Sequence, residues 1–459
     1  MSGIQDDLEA ALRHRRDADE LLLIADETAV AQLRWAGNAL TTNGSVRARR
    51  MTAVAVRQSA ARTHVGLVGH GGALGDALPD LVRAAERAAR NAPPAADAAS
   101  LPTPWQTPSW AEPPGSTSVD AFRDVLPGLR EAFAAAGRRQ LYGYTEHRVV
   151  TTYLAASTGV RLRHLQSSGL FDVSMRDEAG ASTWAGVTAP DLSKLDVLAL
   201  TGELSATLGR SGRRVELPPG RYEVLLTPSC VADLMLHLYL AAGARGALDG
   251  RTAFSRPDGR LPIGERLTAL PLTLRSDPDD PMLPCAPFTL SRRSTDDLTS
   301  AVDSGLPLRP TRWIDEGVLT ALVQTRHTAA RTGSPFTPMV DNLVLEGGPD
   351  GPSLPEMIRS TRRGLLLTSL WYLRDVDPAS LLLTGLTRDG VHLVEEGTIV
   401  GPVHNFRFNE SPLSLLARAT EVGRPEPALP REWGDYFTRM VMPPLRVPDF
   451  LMSAVSPAT

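Results

Sequence analysis

Apolar and polar residues follow one another along the chain with two periods, one helical and one strand-like. Residues 4–14 and 76–91 carry apolar side chains at helical spacing, which predicts a helix in each place. The intervening residues 21–70 contain short alternating runs interrupted by Asn43-Gly44 and by further glycines. Such runs are typical of antiparallel strands joined by tight turns. The pattern therefore predicts a small sheet with a helix packed on it.

A segment rich in proline and small residues, 92–118, separates these elements from a second set. It cannot continue a helix or a central strand, so we predict a long irregular connection. A free linker seldom carries large apolar rings. Trp105 and Trp110 therefore predict that parts of the connection lie against the body of the protein.

The second set of elements comprises a helix at 119–137, alternating strands over 141–186 and a helix at 191–208. We assign everything up to this point to one α+β domain, residues 1–210. Beyond it the chain is rich in strand and turn patterns and poor in long helical ones. The sequence thus predicts an α+β fold of two domains, in which residues 211–459 form a β-rich domain of antiparallel strands.

A predicted strand, residues 221–227, opens the second domain, and the mostly apolar helix that follows, residues 228–242, carries candidate chemistry. Cys230, Asp233 and His237 are separated by three and four residues, so they project together from one side of this helix. These three donors could bind a transition metal, or Asp233 could orient His237 as a general base. A simple ion pair or a solvated pair is the more common outcome for an aspartate and a histidine four residues apart. Another side of the helix forms an apolar stripe of Val231, Leu234, Met235 and Leu238.

Composition excludes several classes of function. The formal net charge of -4 provides no overall basic field, which argues against nucleic acid as the main ligand. Only Cys230 and Cys285 occur, without a CxxC pair, so we expect no disulfide framework and a reducing, cytoplasmic location. No apolar run is long enough to span a membrane. Motifs of P-loop enzymes, serine hydrolases, HExxH metalloproteases and EF-hands are absent from the sequence.

Four segments of the chain resemble the TldD/PmbA (TldD/TldE) family of peptidases. They are the early LRWAGNALTTNG, the central TPSCVADLMLHLYLAAGARGALDGRTAFS, and the late GPVHNFRFNESP and MPPLRVPDF. The resemblance implies an α/β N-terminal domain, a β-rich C-terminal domain, and two homologous subunits with a proteolytic cavity between them. It also implies that the catalytic subunit binds zinc through His-Glu, three residues, and His on the central helix, together with a late cysteine. The other subunit lacks these residues.

The present sequence departs from the catalytic pattern at each of these positions. If His237 corresponds to the first histidine, Leu238 replaces the glutamate and Ala242 replaces the second histidine. No cysteine follows Cys285, and His404 is either a substitute ligand or an ordinary hydrogen-bonded residue. A zinc hydrolase needs about three protein ligands and a base that accepts a proton from the metal-bound water. We therefore assign no catalytic residue and no metal ligand to this chain, regard His237 as a degenerate motif position, and expect the zinc in a TldD-like partner.

Three hypotheses follow from these residues and from the resemblance. The preferred one is a zinc-free, TldE-like subunit of a heterodimeric metalloprotease that acts on unfolded or precursor peptides. The second is a stand-alone hydrolase with a relocated metal site or with a site formed by Cys230, Asp233 and His237. The third is a non-catalytic homodimer that binds a peptide.

The C-terminal half contains further candidate residues. Asn405 and Arg407 are weak candidates for substrate binding, because Arg407 could clamp a carboxylate. The alternation of phenylalanine with polar residues around them is also what an ordinary strand shows. Trp433, Tyr436 and Phe437 lie at helical spacing, which indicates packing or a subunit contact. Glu146, His147 and Arg148 are adjacent in a predicted strand, so they point to opposite faces and are predicted to be surface charges.

Overall fold

A long-stranded antiparallel sheet forms the first part of the fold. The computed structural model describes residues 3–59, 62–72, 77–209, 214–293, 295–347 and 350–456. The sheet has the order β3-β2-β1-β4-β5-β6. Its strands are β1 (Glu20–Ala36), β2 (Ala39–Ser59), β3 (Arg62–Gly71), β4 (Gln140–Ala156), β5 (Arg161–Arg176) and β6 (Ser182–Ala189). The strands are longer than the short runs that the sequence predicted.

The turn between β1 and β2 does not lie where the sequence indicated. Asn43-Gly44 continues β2 in pairing with Leu33 and Gln32 of β1, so the predicted turn there is wrong. The chain reverses at Gly37 and Asn38, whose φ angles of 59° and 63° are both left-handed. Such a pair of angles is what a two-residue type I′ hairpin requires.

Four helices cover one face of this sheet. α1 (Ile4–Arg13) and α2 (Leu78–Asn91) pack on one end, and α3 (Val125–Ala135) and α4 (Val197–Gly209) pack on the other. The helix predicted at 4–14 is confirmed, and so is the one at 76–91 apart from its start, since residue 76 lies outside the described residues. The helix predicted at 191–208 begins only at Val197, and the one predicted at 119–137 is interrupted after a 3-10 turn. The opposite face packs against the second part of the fold at two apolar patches: Leu22 and Ile24 contact Phe288 and Val302, and Leu170 and Trp184 contact Leu429.

The proline-rich connection lies against the protein body, as its tryptophans predicted. The indole N–H of Trp105 donates to the carbonyl of Gly305 at 2.8 Å, and its ring packs edge-on against Phe288. Trp110 packs edge-on against Tyr153 of the sheet. The connection therefore links both parts of the fold.

The second part of the fold contains two further sheets. The larger has nine strands: β7 (Gly220–Leu226), β12 (Arg363–Leu367), β13 (Leu370–Asp377), β14 (Leu382–Thr387), β15 (Val391–Glu395), β16 (Thr398–Val403), β17 (Phe406–Glu410), β18 (Glu421–Val422) and β21 (Leu445–Val455). The smaller has six: β8 (Thr273–Ser276), β9 (Thr311–Asp315), β10 (Val318–Leu319), β11 (Leu343–Glu346), β19 (Glu426–Pro427) and β20 (Met440–Met442). Pairing among the described strands is antiparallel except for β7 with β12 and β11 with β20, which run parallel.

One helix lies between these two sheets. α5 (Pro228–Ala241) contributes most of its residues to the largest hydrophobic cluster, which also includes Leu226 of β7 and Met440 of β20. Shorter helices complete this part: α6 (Ala244–Leu248), α7 (Arg326–Thr332), α8 (Leu354–Ser360) and α9 (Pro412–Arg418).

The boundary predicted between residues 210 and 211 lies outside the described residues. On either side of it, β1 to β6 form the first sheet and β7 to β21 form the other two. Within the part of the chain that the structure describes, no helix has both the length and the apolar character needed to cross a membrane.

Candidate functional site

Helix α5 carries the candidate residues and is buried on almost every side. Its residues 229–239 are all buried, including those on the side that holds Cys230, Asp233 and His237. Other segments of the chain therefore cover the polar side of the helix. Each of the three side chains makes its own hydrogen bonds with these segments.

Cys230 is a neutral thiol with hydrogen-bond partners in the core. Its Sγ donates to the carbonyl oxygen of Leu367 at 3.3 Å and lies 3.5 Å from the hydroxyl of Thr227. Burial raises the pKa of the thiol to about 12. A thiol with this pKa does not become the thiolate that metal binding or nucleophilic attack requires at neutral pH.

Asp233 holds a distant segment of backbone in place. Its two carboxyl oxygens accept hydrogen bonds from the main-chain N–H groups of Arg431 and Glu432, at 3.2 and 3.1 Å. Burial raises the pKa of Asp233 well above its ordinary value of 3.8, although these hydrogen bonds oppose the shift. Asp233 therefore anchors the chain at Arg431 and Glu432, while the hydrogen bond of His237 is made with Trp433.

His237 is bonded to an aromatic residue of the same segment. The indole N–H of Trp433 donates to Nε2 of His237 at 3.2 Å, which leaves the imidazole proton on Nδ1. Nδ1 lies 3.9 Å from the carboxylate of Asp375, an exposed residue of β13. Burial lowers the pKa of His237, with Asp375 acting in the opposite direction. The lone pair that a metal would need is thus already bonded.

The zinc chemistry implied by the family resemblance does not fit these residues. The Cys230, Asp233 and His237 side chains have separate partners and share no common point. Among the described residues, no three His, Cys, Asp or Glu side chains lie close enough together to hold a metal ion. Leu238 and Ala242, which occupy the positions of the missing glutamate and histidine, belong to the main hydrophobic cluster. This part of the site is filled with core side chains.

The segment Arg431–Trp433 closes over α5, and we call it the clamp. Its first residue, Arg431, donates to Asp389 at 2.5 Å and to Ser369 at 2.7 Å, and its guanidinium stacks 4.8 Å from the ring centre of Trp184. Burial alone would raise the pKa of Asp389, but Arg431, the Ser182 hydrogen bond and Arg388 together outweigh it, and the pKa lies below its ordinary value. The clamp thus joins β6 of the first sheet to the helix.

Removing the Asp233 carboxyl tests how strongly it anchors the clamp. Asp233→Ala is expected to lower the free energy of unfolding by about 2–5 kcal/mol, because the half-buried N–H groups of Arg431 and Glu432 lose their acceptor. The folded-state pKa of Asp233 is raised, so its stabilising effect is full below about pH 4 and declines as the pH rises. Urea unfolding should therefore show a larger loss at pH 5 than at pH 8.

The matched control for this prediction is Asp375→Ala. The Asp375 carboxylate is exposed and lies 3.9 Å from Nδ1 of His237, so we expect a change in the free energy of unfolding below about 0.5 kcal/mol. Equal losses for the two variants, or a loss for Asp233→Ala that grows with pH, would show that the anchor has been misassigned.

The remaining candidate residues lie away from α5. His404 is buried, and its Nε2 lies 2.8 Å from the carbonyl oxygen of Leu217, which corresponds to the hydrogen-bonded alternative. Arg407 is exposed in β17 between the buried Phe406 and Phe408, the alternation of an ordinary strand. Its Nη1 lies 3.3 Å from the hydroxyl of Thr384. Asn405 accepts from Thr387 at 3.4 Å and lines a cavity of about 240 Å³. Substrate binding by Asn405 and Arg407 stays a prediction.

A polar cleft, which the sequence did not reveal, opens between the two parts of the fold. It has a volume of about 390 Å³ and lies between the uncovered face of the first sheet and residues 434–439. Its lining includes Asp26, Thr28, Arg50, Tyr144, Glu146, Arg148, Arg292, Asp435 and Arg439. In the sequence, polar residues at every second position of β1 and β4 could have indicated a polar face of the sheet. The opposing wall of the cleft, residues 434–439, is distant from them in sequence.

Two sequence interpretations change in this region. Glu146 and Arg148 form an ion pair at 2.8 Å on the cleft face, while His147 points to the other face and contacts Thr117 and Ser167. The prediction of opposite faces is correct, and two of the three charges line the cleft. Residues 431–436 form turns and not a helix, so the helical spacing of Trp433 and Tyr436 was misleading.

The architecture defines a class of protein that is known from solved structures. TldE from Thermococcus kodakarensis superposes with a TM-score of 0.77 at 16% identity, over 97% of this chain and 99% of that one. A Bacteroides thetaiotaomicron protein described as a "putative modulator of DNA gyrase" superposes with a TM-score of 0.73 at 13% identity, over 98% and 99% of the two chains. A similarly described Thermotoga maritima protein gives 0.73 at 16% identity, over 97% and 99%. At these identities the likeness concerns the fold.

The sequence match supplies the family. Residues 219–454, just over half of the chain, match the family model of the PmbA/TldA metallopeptidase C-terminal domain. The chain therefore belongs to the TldD/PmbA family, as the four resembling segments indicated. No curated protein matches the chain.

Proposed function

We propose that this chain is a zinc-free, TldE-like subunit that pairs with a TldD-like zinc peptidase and completes its peptide-binding cavity. The observation that carries the proposal is the burial of Leu238 and Ala242 in the core of a member of a metallopeptidase family. Leucine and alanine side chains can neither accept a proton from a metal-bound water nor hold the metal. The partner would supply both, and this chain would supply peptide binding.

The exposed edge of β2, which adjoins Arg50 of the cleft lining, gives the chain a surface suited to an extended peptide. Residues 39–48 of β2 are mostly exposed and, among the described residues, pair only with β1. β3 pairs with β2 only as far as Arg50, so no strand of the described residues covers the outer main-chain groups of residues 39–48. An extended peptide can add to such an edge through main-chain hydrogen bonds, which makes binding tolerant of sequence. This supports unfolded or precursor peptides as the substrate class. We further propose a cytoplasmic site of action, where the two cysteines, both free, would stay reduced.

Co-expression with a TldD-like chain tests the proposal. We expect a 1:1 complex by light scattering that hydrolyses unfolded peptides, whereas each purified chain alone has little activity. Changing the motif glutamate of the partner to glutamine should abolish hydrolysis. His237→Phe in this chain should leave more than half of the activity, because His237 contributes packing to the clamp and no chemistry.

Other outcomes would favour the other two hypotheses. Hydrolysis by the lone chain that is lost in His237→Phe would establish a stand-alone enzyme and contradict the proposal. A stable homodimer that binds peptides but ignores every TldD-like partner would contradict it as well. Either result is distinguishable from failed folding by a circular dichroism melt of the same samples.

A further inference from the structure

A second cavity adjoins the polar cleft, and we call it the side pocket. Its volume is about 270 Å³, and it shares Ala286, Leu290, Arg292, Asp341 and Tyr436 with the cleft. The two cavities are therefore immediate neighbours, separated only by these shared side chains. A ligand lying in the cleft could extend one group into the side pocket.

The charged and amide groups that line the side pocket are already engaged within the protein. Arg292 makes a two-point ion pair with Asp26 at 2.5 and 2.6 Å. Asp303 pairs with Arg326 at 2.5 Å. Gln324 accepts from Thr332 at 2.9 Å, and Asp341 is bonded to Arg439. A polar ligand group would have to displace these interactions.

The surface that is left for a ligand is largely apolar. It is contributed by Leu290, Leu298, Leu308, Pro338, Met339 and Phe437. An apolar cavity of about 150 Å³ is large enough to bind benzene. The side pocket, at about 270 Å³, has room for a phenyl or indole ring.

The mouth of the side pocket is connected to the clamp. Tyr436, which is 51% exposed, lies where the two cavities meet. Its ring packs edge-on against Trp433, with ring centres 6.0 Å apart, and Trp433 in turn donates to His237. A chain of side-chain contacts thus runs from the side pocket through Tyr436 and Trp433 to His237.

We propose that the side pocket binds a bulky apolar side chain, preferably aromatic, of a peptide whose backbone lies in the cleft. The chain would then prefer certain side chains of the peptide in addition to binding its backbone. This inference rests on the proposed function for its ligand class, because only a peptide offers both a backbone and a side chain at this spacing. Burying such a side chain should tighten binding about ten- to a hundredfold relative to alanine.

Fluorescence anisotropy with labelled peptides tests the inference. Peptides of glycine and serine that carry one phenylalanine, one alanine or one aspartate are titrated with the chain alone and with its complex with a TldD-like subunit. We expect the phenylalanine peptide to bind at least tenfold more tightly than the other two. Met339→Trp, which fills the pocket, should remove this preference.

Met282→Trp is the matched control, since Met282 is 55% exposed and lines neither cavity. It should keep the preference. The three peptides are also compared on the unaltered protein. That comparison tests the pocket assignment even if Met339→Trp folds poorly. Equal binding of the three peptides, or no binding at all, would overturn the pocket assignment. A phenylalanine preference without complex formation would uphold the pocket and contradict the proposed function.

Discussion

Leu238→Glu, which restores the family's catalytic residue type, is expected to destabilise the chain by about 3–5 kcal/mol and to produce no peptidase activity. Leu238 is 2% exposed and lies in the main hydrophobic cluster with residues of both C-terminal sheets. A carboxylate there would be buried without a partner, and burial of an unpaired charge is among the costliest single changes. Urea unfolding monitored by circular dichroism measures the loss directly.

Leu238→Met is the control, because it keeps the volume and the apolar character of the side chain. It should cost less than about 1.5 kcal/mol. If Leu238→Glu unfolded with the stability of the unaltered protein, position 238 would face an open site. The description of α5 as a core helix would then fail.

Arg431→Met is expected to cost about 3–5 kcal/mol, because it leaves the buried carboxylate of Asp389 without its main partner. It also removes the stacking of the guanidinium on Trp184 and Trp371. Since Trp184 belongs to the first sheet, the loss should be cooperative across both parts of the fold. A single shifted transition in chemical unfolding is the expected observation.

Arg374→Met is the matched control for this change. Arg374 also pairs with a clamp residue, Glu432, but it is 52% exposed, so the expected loss is below about 1 kcal/mol. Adding Asp389→Asn to Arg431→Met should recover part of the stability, because the unpaired charge is then removed. Similar losses for the two arginine variants, or no recovery in the double variant, would mean that the clamp does not depend on this ion pair.

The local spacing of apolar residues was enough to predict that the first domain contains these helices. The spacing of apolar residues over 76–91 predicted α2 because one face of that helix packs on a sheet that is adjacent in sequence. Asn43-Gly44 misled because pairing with β1 continues through it, and Gly37-Asn38 supplies the left-handed angles of the turn. Long-range pairing overrode a local turn signal.

The site could be predicted only in part. The loss of the zinc motif at Leu238 and Ala242 is visible in the sequence. The structure shows in addition that the polar side of α5 is covered by a segment about 200 residues away, in which Trp433 bonds to His237. Nothing in residues 228–242 indicates this partner. The cleft was missed for the same reason, because its walls are distant in sequence.

The central claim is that this chain binds no catalytic metal and depends on a partner for chemistry. The most direct test is the zinc content of the purified chain, of its His237→Phe variant and of the complex with a TldD-like subunit, measured by plasma mass spectrometry after mild chelation. We predict less than about 0.1 zinc per molecule in the first two samples and about one zinc per heterodimer in the third. One tightly held zinc in the lone chain that disappears with His237→Phe would contradict the claim.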